Sequence, residues 1–162
     1  MNNRIGDNLM HFGSNEQLVR ALTDAGVKFI VIGGLAVAWY CPDRQADDMD
    51  LLVDPSAENS ALISTAFARL GLSGFTTDSF AKPGLQVPLK GTYHAELLTP
   101  QHGSLSFAEV EANAVCAKLF GIPVRLADVS ALIAMKQCAV KADRATQEKH
   151  LIDIALLEKH VD

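Results

Sequence analysis

No apolar run in the 162 residues is long enough to cross a bilayer: the longest near-continuous one, Phe29 to Cys41, falls short of the roughly 20 residues that a spanning helix needs. No basic, cleavable leader precedes it, so the expected setting is soluble and cytoplasmic, with no membrane partner. Cysteine is scarce as well. Cys41, Cys116 and Cys138 form no C-x-x-C pair and leave an odd one over. That favours free thiols in a reducing compartment over zinc or disulfides, with all three read as core residues. Positive charge is in deficit, with 14 Lys and Arg against 19 Asp and Glu and a net charge of −5. Sequence-blind binding to a polyanion by bulk electrostatics is therefore disfavoured, and any nucleic-acid contact must be local. There is no internal repeat, no low-complexity tract and no linker rich in Pro, Gly or Ser, so residues 1–162 read as one domain. What is present is a globular composition, 49% apolar and 20% charged, in a chain long enough to bury roughly 70% of the surface its unfolded form exposes.

Ser14 followed by Gln17 reads as a capping box, and Leu18, Ala21, Leu22 and Ala25 line one face of the helix behind it until Gly26 stops it. The β-branched and aromatic run Val27 to Ile32 predicts a buried strand ended by Gly33-Gly34. Leu35 to Tyr40 predicts a short helix closed by Pro42 and Asp43, and Asp48 to Val53 a second strand. A helix over 57–70 follows the turn Asp54-Pro55-Ser56. Glycines and prolines break residues 75–90 into short pieces with the character of edge strands. Thr92 to Leu98 reads as a strand, Phe107 to Leu119 as a helix closed by Gly121, and Val124 to Ala127 as a short strand. Two helices finish the chain, one from an N-cap at Asp128 to about Val140. The other runs over 146–159 with Leu151, Ile154, Ala155 and Glu158 along its inner edge. Alternating helices and strands predict an α/β or α+β domain, helices packed on a mixed sheet.

The chemistry starts at Asp48-Met49-Asp50. Side chains alternate across a strand, so both carboxylates project from one face, roughly 7 Å apart along the backbone, while Met49 points to the other. Such a pair can converge on hard divalent cations, as phosphoryl- and nucleotidyl-transfer sites require. Without a cation, mutual repulsion would raise a pKa or push the pair into solvent. The plain alternative is a solvated strand start, since Asp47 extends the acidic run. Gly33-Gly34 adds context: a residue without Cβ lets backbone approach a ligand closely, and the helix opening there aims its N–H groups and dipole at any nearby anion. A tight corner that serves packing alone is the other reading of the same pair.

Val31-Ile32-Gly33-Gly34, then thirteen residues, then Asp48-Met49-Asp50, resembles the signature of the nucleotidyltransferase superfamily: a glycine followed by Gly or Ser, a short helix, and Asp-x-Asp or Asp-x-Glu. Arg44, with three residues between it and Asp48, resembles the R-x-T-x-D-x-D form of the minimal and AbiEii-like toxin branches, with Ala46 where Thr is usual. Gly121-Ile122-Pro123-Val124, then Leu132-Ile133-Ala134-Met135-Lys136 and a last helix with Lys149 and Asp153, is similar to those branches too, with His150 where an acidic residue is more usual. The likeness spans roughly residues 25–158.

The resemblance implies a third carboxylate on a neighbouring strand, and Glu96 is the candidate. Strand alternation puts His94, Glu96 and Leu98 on one face, so Glu96 meets Asp48 and Asp50 if the strands pair in that register; otherwise it is a solvated edge residue. Lys136 sits in an apolar helix, an expensive place for a charge unless its ammonium reaches a phosphate, a carboxylate or water; the resemblance favours a triphosphate. Arg44 either clamps a phosphate bidentately or pairs with the nearby aspartates. Lys149 and Asp153, spaced i, i+4, read as a surface ion pair. His94 and His102 lack a second histidine at metal-ligand spacing, and Trp39 and Tyr40 read as core or interface.

The function implied is Mg²⁺- or Mn²⁺-dependent transfer of a nucleoside monophosphate from a nucleoside triphosphate, with release of pyrophosphate. Asp48, Asp50 and Glu96 would be catalytic and metal-holding, and Gly33, Gly34, Arg44 and Lys136 would bind nucleotide. The acceptor, whether tRNA, protein or small molecule, is not legible in the chain. The alternative is a catalytically silent nucleotide- or protein-binding module, one half of a toxin and antitoxin pair, and a homodimer that completes a shallow cleft fits either reading. A phosphohydrolase using Asp48 as nucleophile is disfavoured because the pair opens its strand instead of ending it.

Overall fold

The computed structural model describes residues 14–41, 46, 48–89, 93–142 and 147–159, with helices and strands alternating along the chain. At the centre stands β1 (Phe29–Ile32), four apolar residues buried along their whole length, as a strand covered on both faces requires. It pairs antiparallel with β2 (Met49–Val53) and parallel with β6 (Ile122–Leu126). Outside these lie β4 (Ala95–Leu98), parallel to β2, and the edge strands β3 (Gln86–Pro88) and β5 (Val115–Leu119). The six-stranded order is β3-β4-β2-β1-β6-β5. Pro88 falls on an edge strand, where a missing N–H breaks no ladder. Helices α1 (Ser14–Asp24) and α3 (Ala57–Arg69) pack together, and α2 (Gly33–Tyr40), α5 (Val129–Ala142) and α6 (Gln147–Glu158) form a second group. The expected α/β class, a mixed sheet with flanking helices, is what forms.

Local chemistry accounts for most of the boundaries. The Ser56 hydroxyl accepts the Asn59 N–H to start α3. Ser106 and Glu109 exchange both bonds of a capping box at the head of α4 (Phe107–Ala112). The Asp128 carboxylate accepts the Ala131 N–H at 3.0 Å, the N-cap role expected of it. Leu18 and Leu22 of α1 are fully buried, and Gly26 follows that helix at φ +79°. Behind α3, the rings of Phe67, Phe75 and Phe80 cluster with centroids 4.8 to 5.9 Å apart. The ends expected at Pro42 and Asp43, at Thr92 and at Thr146 lie outside the described residues, as does the side chain of Ser14.

Three expectations are corrected. The helix read over Phe107–Leu119 ends at Ala112, and Val115–Leu119 is a strand. Its alternation of exposed and buried residues matches pairing with β6 through the turn Phe120-Gly121, both at positive φ. Gly121 therefore turns a hairpin and does not terminate a helix. On α6, Leu151 and Ala155 are exposed while Asp153, Ile154 and Leu157 face inward, so the buried stripe is rotated from the one expected. The cause is Asp153, drawn inside by an ion pair. Cysteine is the third correction: none of the three is in a disulfide, but Cys116 is exposed on β5 and only Cys41 is fully in the core.

Candidate active site

Asp50 is the one residue of β2 that is not fully buried, in an otherwise apolar central strand. Its register partners are Ile32, the last residue of β1, and Glu96 of β4. Directly paired residues on neighbouring strands project to the same face, so Asp50 and Glu96 stand side by side. Asp48 lies just before β2, two positions from Asp50, and its charge reaches the Asp50 carboxylate. Met49 is buried on the opposite face. Of the three acids sought in the sequence, the sheet thus brings all three to one neighbourhood.

The glycine corner touches them. Gly33 opens α2 at φ +69°, a left-handed conformation that a side chain resists, and a Cβ placed there would collide with the Asp50 carboxylate, lying 2.9 Å from both its Cβ and Cγ. Glycine is needed twice over, for the turn and for the space that the carboxylate occupies. Gly34 is the second residue of the same helix. The far end of α2 is tethered by the Tyr40 hydroxyl, which donates to the Ala127 carbonyl at 2.9 Å. Burial, then the nearby Asp128 charge, push this phenol up to about 12. Trp39 and Tyr40 are partly buried against the core.

Electrostatics distinguish Asp50 from the rest. Its pKa is raised to about 6, first by burial, then by the Glu96 charge, with Asp48 adding to the effect and Lys136 and Lys149 opposing it. Lys136, on α5, is 8% exposed, and its ammonium lies 3.0 Å from the carboxylate of Asp153, which is wholly buried on α6. The surface pair expected of Lys149 and Asp153 is replaced by a buried one between Lys136 and Asp153, while Lys149 is exposed and its charge still acts on Asp50. His94 and His102 are exposed. Arg44 lies outside the described residues.

Asn15 was not anticipated. It is completely buried at the start of α1, donates to the His94 carbonyl at 3.1 Å and accepts the His94 N–H at 2.9 Å. Nothing in the local sequence marks it, because a polar residue in the first turn of a helix ordinarily faces water.

The donor chemistry suits a hard divalent cation: the three groups are carboxylates, and the repulsion that Glu96 and Asp48 add to burial in raising the Asp50 pKa is one that a cation between them would relieve. Among the described residues no three His, Cys, Asp or Glu side chains are closed around one point, so the acids are neighbours without a preformed cage. No described helix is long and apolar enough to cross a membrane.

No protein-family model matches the chain, and no curated protein matches it in sequence. Solved structures do match in shape. The solution structure of the antibiotic-resistance factor ANT(2″)-Ia is similar at a TM-score of 0.64 and 16% identity, over 96% of this chain and 86% of that one. The crystal structure of ANT(2″)-Ia with adenylyl-2″-tobramycin is similar at 0.62 and 15%, over 94% and 90%. An antigenic nucleotidyltransferase-like protein from Paracoccidioides brasiliensis is similar at 0.52 and 14%, over 89% and 74%. At these identities the likeness is one of fold, and it is a nucleotidyltransferase-like fold.

Proposed function

We propose that this fold carries out nucleotidyl transfer: it binds a nucleoside triphosphate with Mg²⁺ or Mn²⁺ and passes the nucleoside monophosphate to an acceptor hydroxyl. A bond forms from the acceptor oxygen to the α-phosphorus, the α–β bridging bond breaks, and pyrophosphate leaves. The observation that carries the reading is the register that sets Asp50 beside Glu96 and against the Gly33 corner. Asp48, Asp50 and Glu96 would hold the cation, with Glu96 alternatively accepting the proton of the attacking hydroxyl. A bound cation would stabilise charge on the transferring group and orient the phosphates. The Gly33-Gly34 turn would offer backbone N–H groups to a phosphate at the start of α2, and Lys136 and Arg44 would balance the negative charge that develops.

Among acceptors, a small cationic molecule is the first to test. A chain of net charge −5 attracts a polycation and repels tRNA, and the similar ANT(2″)-Ia was solved with an adenylylated tobramycin. The experiment incubates each labelled triphosphate with Mg²⁺ and an aminoglycoside panel and then with a cell extract, reading pyrophosphate and label transfer. Asp50→Asn should abolish turnover; unchanged Mg²⁺-dependent turnover in that variant would remove the metal role.

A second reading is favoured by the engagement of Lys136 with Asp153 and by the open arrangement of the acids: a silent module that binds nucleotide or protein, as in a toxin and antitoxin pair. Calorimetry separates the two. Triphosphate binding with Mg²⁺ but no pyrophosphate from any acceptor pool selects the module.

A further inference from the structure

We infer that Asn15 is a positioning residue for the carboxylate cluster, an inference that rests on the metal-dependent reading above. Its carboxamide grips both backbone polar groups of His94, donating to the carbonyl and accepting the N–H, as a neighbouring strand would. The same His94 carbonyl also accepts the Met49 N–H at 2.8 Å. One peptide oxygen thus joins α1, the head of β2 and the head of β4. Asp48 and Asp50 flank Met49, and Glu96 follows His94 by two residues on the same strand face. The Asn15 grip therefore holds the point from which the spacing of all three acids is set.

The molecule supplies its own comparison. Asn59 on α3 makes an equivalent grip, accepting the Lys28 N–H at 2.7 Å and donating to the carbonyls of Lys28 and Asp54 at 3.1 and 2.9 Å. It is 2% exposed. These bonds fasten the opposite end of the β1–β2 pair, where Phe29 faces Val53, away from Asp50. Two buried asparagines thus do the same mechanical task near the opposite ends of β2, Asn15 through His94 and Asn59 at Lys28 and Asp54, and only Asn15 does it beside the acids.

The test compares wild type, Asn15→Ala and Asn59→Ala as full chains. Three readouts are taken: Mn²⁺ affinity by titration calorimetry, hydrogen exchange at His94 to Glu96, and kcat and KM for the triphosphate with the best acceptor found. Asn15→Ala should weaken Mn²⁺ binding by on the order of 10-fold or more, the usual cost of losing a group that orients metal ligands. Exchange at His94 to Glu96 should quicken and kcat fall, while KM for the triphosphate stays near wild type because Gly33, Gly34 and Lys136 are untouched. Asn59→Ala should lose stability to a similar degree and keep its Mn²⁺ affinity. If Asn15→Ala does not fold, Asn15→Leu fills the same space with neither donor nor acceptor for His94 and should show the same weakening. Equal Mn²⁺ affinity in both asparagine variants would overturn the positioning role while leaving nucleotidyl transfer standing. A wild-type chain that binds neither Mn²⁺ nor triphosphate would overturn the metal-dependent reading itself, and the inference with it.

Discussion

Replacing Asp50 by Asn in the metal-free protein is expected to make it more stable above neutral pH, although it removes the residue on which the proposed chemistry most depends. Burial and the charges of Glu96 and Asp48, partly offset by Lys136 and Lys149, lift the Asp50 carboxyl from an ordinary 3.8 to about 6. The folded state keeps a proton that the unfolded chain gives up in that interval. Stability therefore falls as pH rises from 3.8 to about 6, and the whole penalty stands above it. An elevation of that size corresponds to about 3 kcal/mol, which is an upper figure because side-chain rotation and entering water relieve part of the repulsion. In a domain of this length each kcal/mol moves Tm by roughly 2–4 °C. Urea unfolding in a chelator should find the two proteins close together near about pH 4. Near about pH 8 the variant should lead by ~2–3 kcal/mol. Adding Mg²⁺ should then recover stability in the wild type and not in the variant, since only the wild type keeps the full carboxylate set. A variant no more stable than wild type at the higher pH, or a gap of the same size at both, would refute the reasoning.

Lys136→Met should destabilise the fold by about 3–5 kcal/mol, because it strands the Asp153 carboxylate uncompensated in the interior. Lys136→Met combined with Asp153→Leu should recover most of that loss, which denaturant unfolding of the single and double variants measures. Gly33→Ala should cost more than Gly26→Ala: both glycines have positive φ, worth about 1–2 kcal/mol to an L-residue, but only at Gly33 does the new methyl meet the Asp50 carboxylate. Equal Tm losses in the two variants would show that the close contact carries no weight.

The parts of the site that were legible in the sequence are those carried by adjacent residues. Glycine after a β-branched run needs only local sterics to predict a corner, and Asp48-Met49-Asp50 needs only strand alternation to place two acids on one face. Glu96 was reachable through alternation, but its position beside Asp50 depends on the pairing of β2 with β4, strands with a helix and a further strand between them. Residues 115–119 read as helix in the sequence because five residues of mixed polarity continue a helix pattern as readily as they alternate in a strand; pairing with β6 decides between the two. The inner face of α6 is not legible in the same way, because apolar periodicity cannot foresee a buried aspartate whose partner lies on another helix.

The order of the chain thus determined by itself the element types around the corner, the acidic pair and the α/β class, since backbone sterics and side-chain periodicity act over a few residues. The tertiary structure alone decided which acid faces Asp50, that Lys136 meets Asp153, and that Asn15 grips the head of β4. Each of these is an interaction between groups far apart in sequence, and its energy exists only once the sheet has brought them within hydrogen-bonding distance and excluded the water that would otherwise satisfy them.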